Sequence, residues 1–285
     1  MMLMGTIMFG LVLSACGQTD KTSDEGEEKA VVAEEKDDTV QPEEESTNVE
    51  EDSNEEASAG GEGSANDEAV ADDGSFELTE DLYSEEGVTI EYPQIKNLAD
   101  ETKQDEINNM LSNEAYKVMN FYSDTEGLEL EIGYTIAFKS PSFLSVQYAG
   151  DGYVEGAAHP NHMFYTTNIN VENGTHIRLV DVVNVNDAFV ELVKSDAFEA
   201  VNPDVAEFAT DMKGEITVAS LQNADNLDSI GTEQHSETFT YFTEDRLGIS
   251  IPVSHAAGGH AAFEINYDDV PSEFWRNQNI LELLQ

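Results

Sequence analysis

Apolar and polar positions divide this 285-residue chain into three regimes. Residues 1–13 are almost wholly apolar, residues 17–75 are almost wholly polar or acidic, and from Phe76 onward the two kinds alternate with the periods of regular structure. Order is expected to begin at 76–83, and Val88-Thr89-Ile90-Glu91-Tyr92-Pro93 alternates as a strand. Within 98–121, Ile107, Met110, Leu111, Ala115, Val118 and Met119 recur every three or four residues, which predicts an amphipathic helix capped by Asp100 or Thr102. Alternation over 128–138 and 143–149 about Ser140-Pro141-Ser142 predicts a hairpin, and the glycine-rich stretch 150–162 reads as a loop. A strand at 163–171 then turns at Asn173-Gly174 into another at 175–179, because both central positions of that turn accept φ > 0. Helical spacing covers 187–201 and 204–212. Strands at 237–243 and 247–251 form a hairpin about Glu244-Asp245-Arg246, and 261–267 closes the sheet.

Strands dominate and helices are grouped in two places, which argues for α+β over a doubly wound parallel sheet. The expected organisation is a segment at 1–15, a disordered acidic tether at 16–75, an amino-terminal module at 76–160 and a carboxyl-terminal module at 161–285. Each module is a small antiparallel sheet, with one long helix in the first and a helical pair in the second.

The apolar run ends in Leu13-Ser14-Ala15-Cys16, which holds the chain's single cysteine. An apolar run this short cannot cross about 30 Å of hydrocarbon as a mature helix, so 1–15 reads as a lipoprotein signal peptide with acylation of Cys16. The expected location is the extracytoplasmic face of the cell membrane, held by lipid, and with no second cysteine no internal disulfide can form. Residues 17–75 carry 22 Asp or Glu against Lys21, Lys29 and Lys36, a net charge of −19, and no aromatic residue. So little apolar surface cannot offset roughly 1–2 kcal/mol of ordering entropy per residue. The remaining residues carry −29. Such a body repels nucleic acid and attracts cationic partners by steering that salt screens.

Several short motifs occur in a recognisable order: Tyr92-Pro93-Gln94-Ile95, Ile107-Asn108 within the helix, Leu144-Ser145, Gly156-Ala157-Ala158-His159-Pro160-Asn161, and Leu179-Val180-Asp181-Val182-Val183. Phe239-Thr240-Tyr241-Phe242-Thr243-Glu244-Asp245 and Ala256-Ala257-Gly258 follow. Over residues 86–270 this resembles the paired extracytoplasmic domains of RsiV-like anti-sigma factors and is similar to the accessory module of PdaC-like peptidoglycan deacetylases. The resemblance implies an α+β pair and, from the anti-sigma members, a receptor for lysozyme. The cytoplasmic sigma-binding segment of those members has no counterpart here, so transmembrane signalling is not expected to carry over. Where the family's loop usually reads Pro-Tyr-Ala-Ala-Gly, this chain has Ser254-His255-Ala256-Ala257-Gly258, without the aromatic anchor.

Four of the six histidines fall in two glycine-rich loops, as His159 with His162 and His255 with His260. Ligand contacts are expected there, from Glu155, His159, Asn161, His162, Ser254, His255 and His260. The alternative is a zinc site on His159, His162 and His255, since imidazoles supply donors at about 2.0–2.1 Å. His159 sits in the family's Ala-His-Pro-Asn motif, which implies a turn-fixing hydrogen bond. The abundant carboxylates single out no glycosidase pair, and no nucleophile elbow, phosphate-cradling loop or dinucleotide fingerprint occurs. Trp275 with Phe274 and Tyr267 offers either a sugar-stacking surface or a plug for the core. The expectation is a non-enzymatic binding lipoprotein, without cofactor, that recognises a cationic protein such as lysozyme or a cell-wall component. The alternatives are a metal-dependent wall hydrolase or deacetylase and a module that assists a separate wall enzyme.

Overall fold

The computed structural model describes residues 75–123, 125–276 and 279–284. The segment at 1–15, Cys16 and the acidic tether as far as residue 74 lie outside the described residues.

The fold is α+β. A six-stranded sheet runs in chain order through β1 (Glu77–Glu85), β2 (Val88–Lys96), β3 (Leu128–Lys139), β4 (Phe143–Val154), β5 (Asn161–Asn170) and β6 (Thr175–His176). Glu86 and Gly87 turn β1 into β2 at φ 44° and 90°, the left-handed region that a two-residue hairpin demands. Helix α1 (Glu101–Tyr116) then carries the chain from β2 to β3. Its Ile107, Leu111 and Ala115 are buried at the expected spacing, and of the two candidate caps Asp100 serves, accepting from the Lys103 backbone N–H at 3.1 Å. The Asn108 side chain accepts from the Ile95 N–H at 2.7 Å and donates to the Ile95 carbonyl at 3.0 Å, locking the helix to the end of β2. Because α1 returns the chain to the start of the sheet, β2 and β3 pair in parallel, from Val88 with Leu130 to Ile90 with Ile132. The first sheet is therefore mixed, which corrects the expectation of antiparallel pairing throughout.

Strand β4 does not stop at Ala149 but runs on through Gly150 and Gly152, so the expected loop shrinks to residues 155–160. These glycines serve close approach: a Cβ on Gly150 would strike the Glu131 carbonyl in β3, and one on Gly152 would strike the Tyr122 hydroxyl. Gly150→Ala is accordingly expected to cost about 1–3 kcal/mol, the range for overpacking a closed site. Gly214, where a Cβ would meet nothing within 4 Å, is the control whose alanine variant should unfold in urea at or above the wild-type midpoint. Equal midpoints for the two variants would refute the close-approach account.

Strand β5 pairs with β4 from Phe143 and Asn170 down to Gly152 and Asn161. The first sheet thus continues across the division expected between 160 and 161, and the described residues all fall in a single compact unit. Strand β6 is only two residues long. The chain leaves the sheet at Arg178, whose N–H donates to Asp181 at 2.9 Å and starts α2 (Leu179–Val182).

The second sheet has the order β7-β10-β9-β8, with β7 (Glu199–Ala200), β8 (Phe239–Phe242), β9 (Arg246–Pro252) and β10 (His260–Asn266). Helices α3 (Asp187–Lys194), α4 (Ala206–Gly214) and α5 (Val218–Gln222) precede β8, and α6 (Asn279–Leu283) follows the sheet. The helix expected over 187–201 breaks after Lys194. There the Lys213 ammonium donates to the carbonyls of Ser195 (2.7 Å) and Phe198 (3.0 Å), and Glu199–Ala200 pairs with β10 instead. Strand β10, expected to close the sheet, lies inside it between β7 and β9.

Strand β8 meets the first sheet through polar groups. The Thr240 carbonyl accepts from Thr166 Oγ1 (2.7 Å) and Asn168 Nδ2 (2.8 Å), and the Phe242 N–H donates to Ser145 Oγ (3.0 Å). Trp275 and Phe274 are buried in the core around the second sheet, and the Tyr267 ring packs against Trp275 at 6.0 Å. Of the two roles open to Trp275, core packing is the one the fold uses, and the sugar-stacking surface is not formed.

Candidate functional site

The two histidine loops meet. His162, second in β5, faces Asp151 of β4 in register, and its Nδ1–H donates to Asp151 Oδ1 at 2.5 Å. His255 opens the turn after β9, and Gly258 and Gly259, at φ 95° and 78°, fold that turn back against His162. The imidazole of His255 then lies 4.1 Å from that of His159 and 5.8 Å from that of His162, centroid to centroid. His260 begins β10 and stacks on Phe164 at 4.4 Å and 25°. Burial and the neighbouring His162 hold the His260 imidazole below its ordinary titration range, so the stacked ring is neutral near pH 7.

Beside this cluster opens a cleft of about 370 Å³ lined by Asn161, His162, His255 and His260 from the expected set. His159 is exposed and does not line it, with Nδ1 3.1 Å from the Pro160 carbonyl, a contact within its own turn. Glu155 and Ser254 do not line the cleft; their backbone groups bond within neighbouring turns, to Gly127 and to Ala257 and Gly259. The lining also includes Phe121, Phe239, His235 and Glu237, none of which was among the expected contacts. Phe121 closes the apolar run of the first helical region yet stays 38% exposed, and its ring meets His235 edge-on at 5.4 Å. His235 and Glu237 precede β8, which starts at Phe239 and not at Glu237 as the strand expected over 237–243 would have it.

Among the described residues no group of three or more His, Cys, Asp or Glu side chains is arranged to hold a metal ion. The rings of His159, His162 and His255 adjoin, but adjacency of rings is not convergence of their nitrogens on one point. This argues against the metal-dependent alternative on that trio.

Further ionisable groups are wholly or partly buried away from the cleft, among them Asp225, Glu114 and His176. Asp225 has no exposed surface and accepts from the Thr240 N–H (2.6 Å), Thr240 Oγ1 (2.6 Å) and the Leu179 N–H (2.8 Å). Burial pushes its carboxyl up to about 6, against the pull of those donors and of Arg178. Glu114, on the sheet-facing side of α1, is pushed up to about 7 by burial, and its Oε1 lies 3.6 Å from His176 Nδ1. Burial lowers His176 to about 4, so that imidazole is neutral. Neither Asp225 nor Glu114 lines the cleft.

No helix among the described residues is long and apolar enough to cross a membrane. The chain matches no protein-family model and no curated protein. Among solved structures it is similar to a DUF3298-family member from Bacteroides fragilis NCTC 9343, at 13% identity over 74% of this chain and 98% of that one, with a TM-score of 0.46. It is also similar to a DUF3298-family protein from Pseudomonas aeruginosa PAO1, at 12% identity over 71% of this chain and 93% of that one, with a TM-score of 0.41.

Proposed function

We propose that this chain is a non-enzymatic binding lipoprotein, anchored through Cys16 at the extracytoplasmic face of the cell membrane, whose folded region captures a cationic protein such as lysozyme or a cell-wall component. The supporting observation is that two loops far apart in sequence converge on one cleft, whose lining includes Glu237 and neither lysine nor arginine. The charge of −29 beyond the tether favours the same partner, since it raises the encounter rate with a basic surface. The resemblance of the motif order to RsiV-like and PdaC-like proteins makes lysozyme the first ligand to try.

Retention of lysozyme by the immobilised full chain is expected at low ionic strength and should weaken toward physiological salt, where the Debye length falls to about 8 Å. A peptide of residues 16–75 provides the comparison, because the tether alone carries −19. Equal retention by that peptide would assign the binding to nonspecific charge, and no retention at any salt would remove lysozyme as the ligand.

A further inference from the structure

We propose that the cleft receives one lysine or arginine side chain of the partner, its apolar stem against Phe121 and Phe164 and its N–H groups between His235 and Glu237. This rests on the receptor reading above and names the group that the site takes.

The argument begins with a mismatch of hydrogen-bonding groups. His235 Nδ1 lies 2.9 Å from the Thr232 carbonyl, which can only accept, so Nδ1 carries the ring's proton. In the neutral ring Nε2 is then an acceptor, and it points across 3.6 Å at Glu237 Oε1, another acceptor. Two acceptors at that separation cannot bond to each other. Both are satisfied by a group that brings several N–H donors at once, and an ammonium or guanidinium does so while also neutralising the carboxylate.

The surroundings suit the rest of such a side chain. Phe121, Met163, Phe164 and Phe239 form an apolar lining for a methylene stem, and aromatic rings attract a cation within about 6 Å of their centroids. The stacked His260 is held neutral, so it does not oppose an incoming positive charge near pH 7. An anionic ligand would find no lysine or arginine in the lining.

The test follows the imidazole C–H resonances of the full chain during titration with N-acetyl-arginine amide, N-acetyl-lysine amide, N-acetyl-norleucine amide and N-acetylglucosamine at pH 7.5. Saturable shifts of His235 are expected with the two cations only. Phe121→Ala and Glu237→Gln should each weaken binding about tenfold, matching loss of a partly desolvated cation–π contact or of a charge-assisted hydrogen bond. Phe121 is 38% exposed and the Glu237 side chain 62% exposed, so neither change threatens the fold. An equal response to norleucine amide, a response to the sugar alone, or no response to any probe would each overturn the proposal. Lysozyme retained as well by both variants as by the wild type would leave the receptor reading standing and remove the cleft assignment. Shifts of His235 by the arginine derivative without lysozyme retention would do the reverse.

Discussion

Asp225→Ala is expected to lower the free energy of unfolding by about 4–6 kcal/mol, seen as a large drop in the urea midpoint. The carboxylate ties three segments together, accepting from the first N–H of α2 at Leu179 and from both the N–H and the hydroxyl of Thr240 in β8. Its removal strands two buried backbone donors, at about 1–3 kcal/mol each, and leaves a cavity. Asp225 also adopts φ 60°, a left-handed conformation that costs alanine about 1–2 kcal/mol. Asp225→Asn keeps one acceptor and tolerates that backbone, so it should fall between wild type and alanine. The consequence reaches the junction between the sheets, because the Thr240 carbonyl holds Thr166 and Asn168 of β5. A loss below about 1 kcal/mol in the alanine variant would show that the donors find other partners.

Glu114→Gln should stabilise the protein at pH 8 by about 3 kcal/mol and change little at pH 4. In the folded chain this carboxyl titrates at about 7 against an ordinary 4.5, and each tenfold change in proton affinity corresponds to about 1.4 kcal/mol. A carboxyl raised in this way contributes stability below its unfolded pKa and loses it as the pH rises through the folded one. Asp225, raised to about 6, acts in the same direction between its ordinary 3.8 and 6. His176, lowered to about 4, opposes them: its contribution is full above 6.5 and is lost as the pH falls toward 4. Two carboxyls outweigh one imidazole between about 4.5 and 6, and Glu114 alone acts from about 6.5 to 7. The wild-type urea midpoint should therefore be higher at pH 5 than at pH 8, and repulsion among the body's many carboxylates adds to the trend. A midpoint that rises from pH 5 to pH 8, or a glutamine variant that tracks the wild type at both, would exclude this account.

The regularities legible in the sequence are those written in a few consecutive residues. Ile107, Leu111 and Ala115 mark the buried face of α1 whatever it packs against, Asp100 caps it locally, and Asn173-Gly174 turns wherever it occurs. The loops at 155–162 and 253–260 were legible as glycine-rich and histidine-bearing, which identified four of the residues that line the cleft. Phe121, His235 and Glu237 were not, because they belong to the cleft only through the approach of β8 and β9 to β5. Gly150 and Gly152 misled for a related reason. A glycine that permits a turn and a glycine that admits a neighbouring backbone look the same until the neighbour is known.

The α+β class, most strands, the faces of the long helix and the acidity of the molecule were thus all written in the chain. Periodicity and charge are properties of consecutive residues, and they need no partner to be read. The parallel run of β2 beside β3, the continuity of one sheet across the expected module boundary, and the burial of Asp225 and Glu114 emerged only from packing. So did the placement of His235 Nε2 3.6 Å from Glu237 Oε1. Each of these depends on which surfaces meet, and an amphipathic segment specifies that it must bury a face without specifying against what.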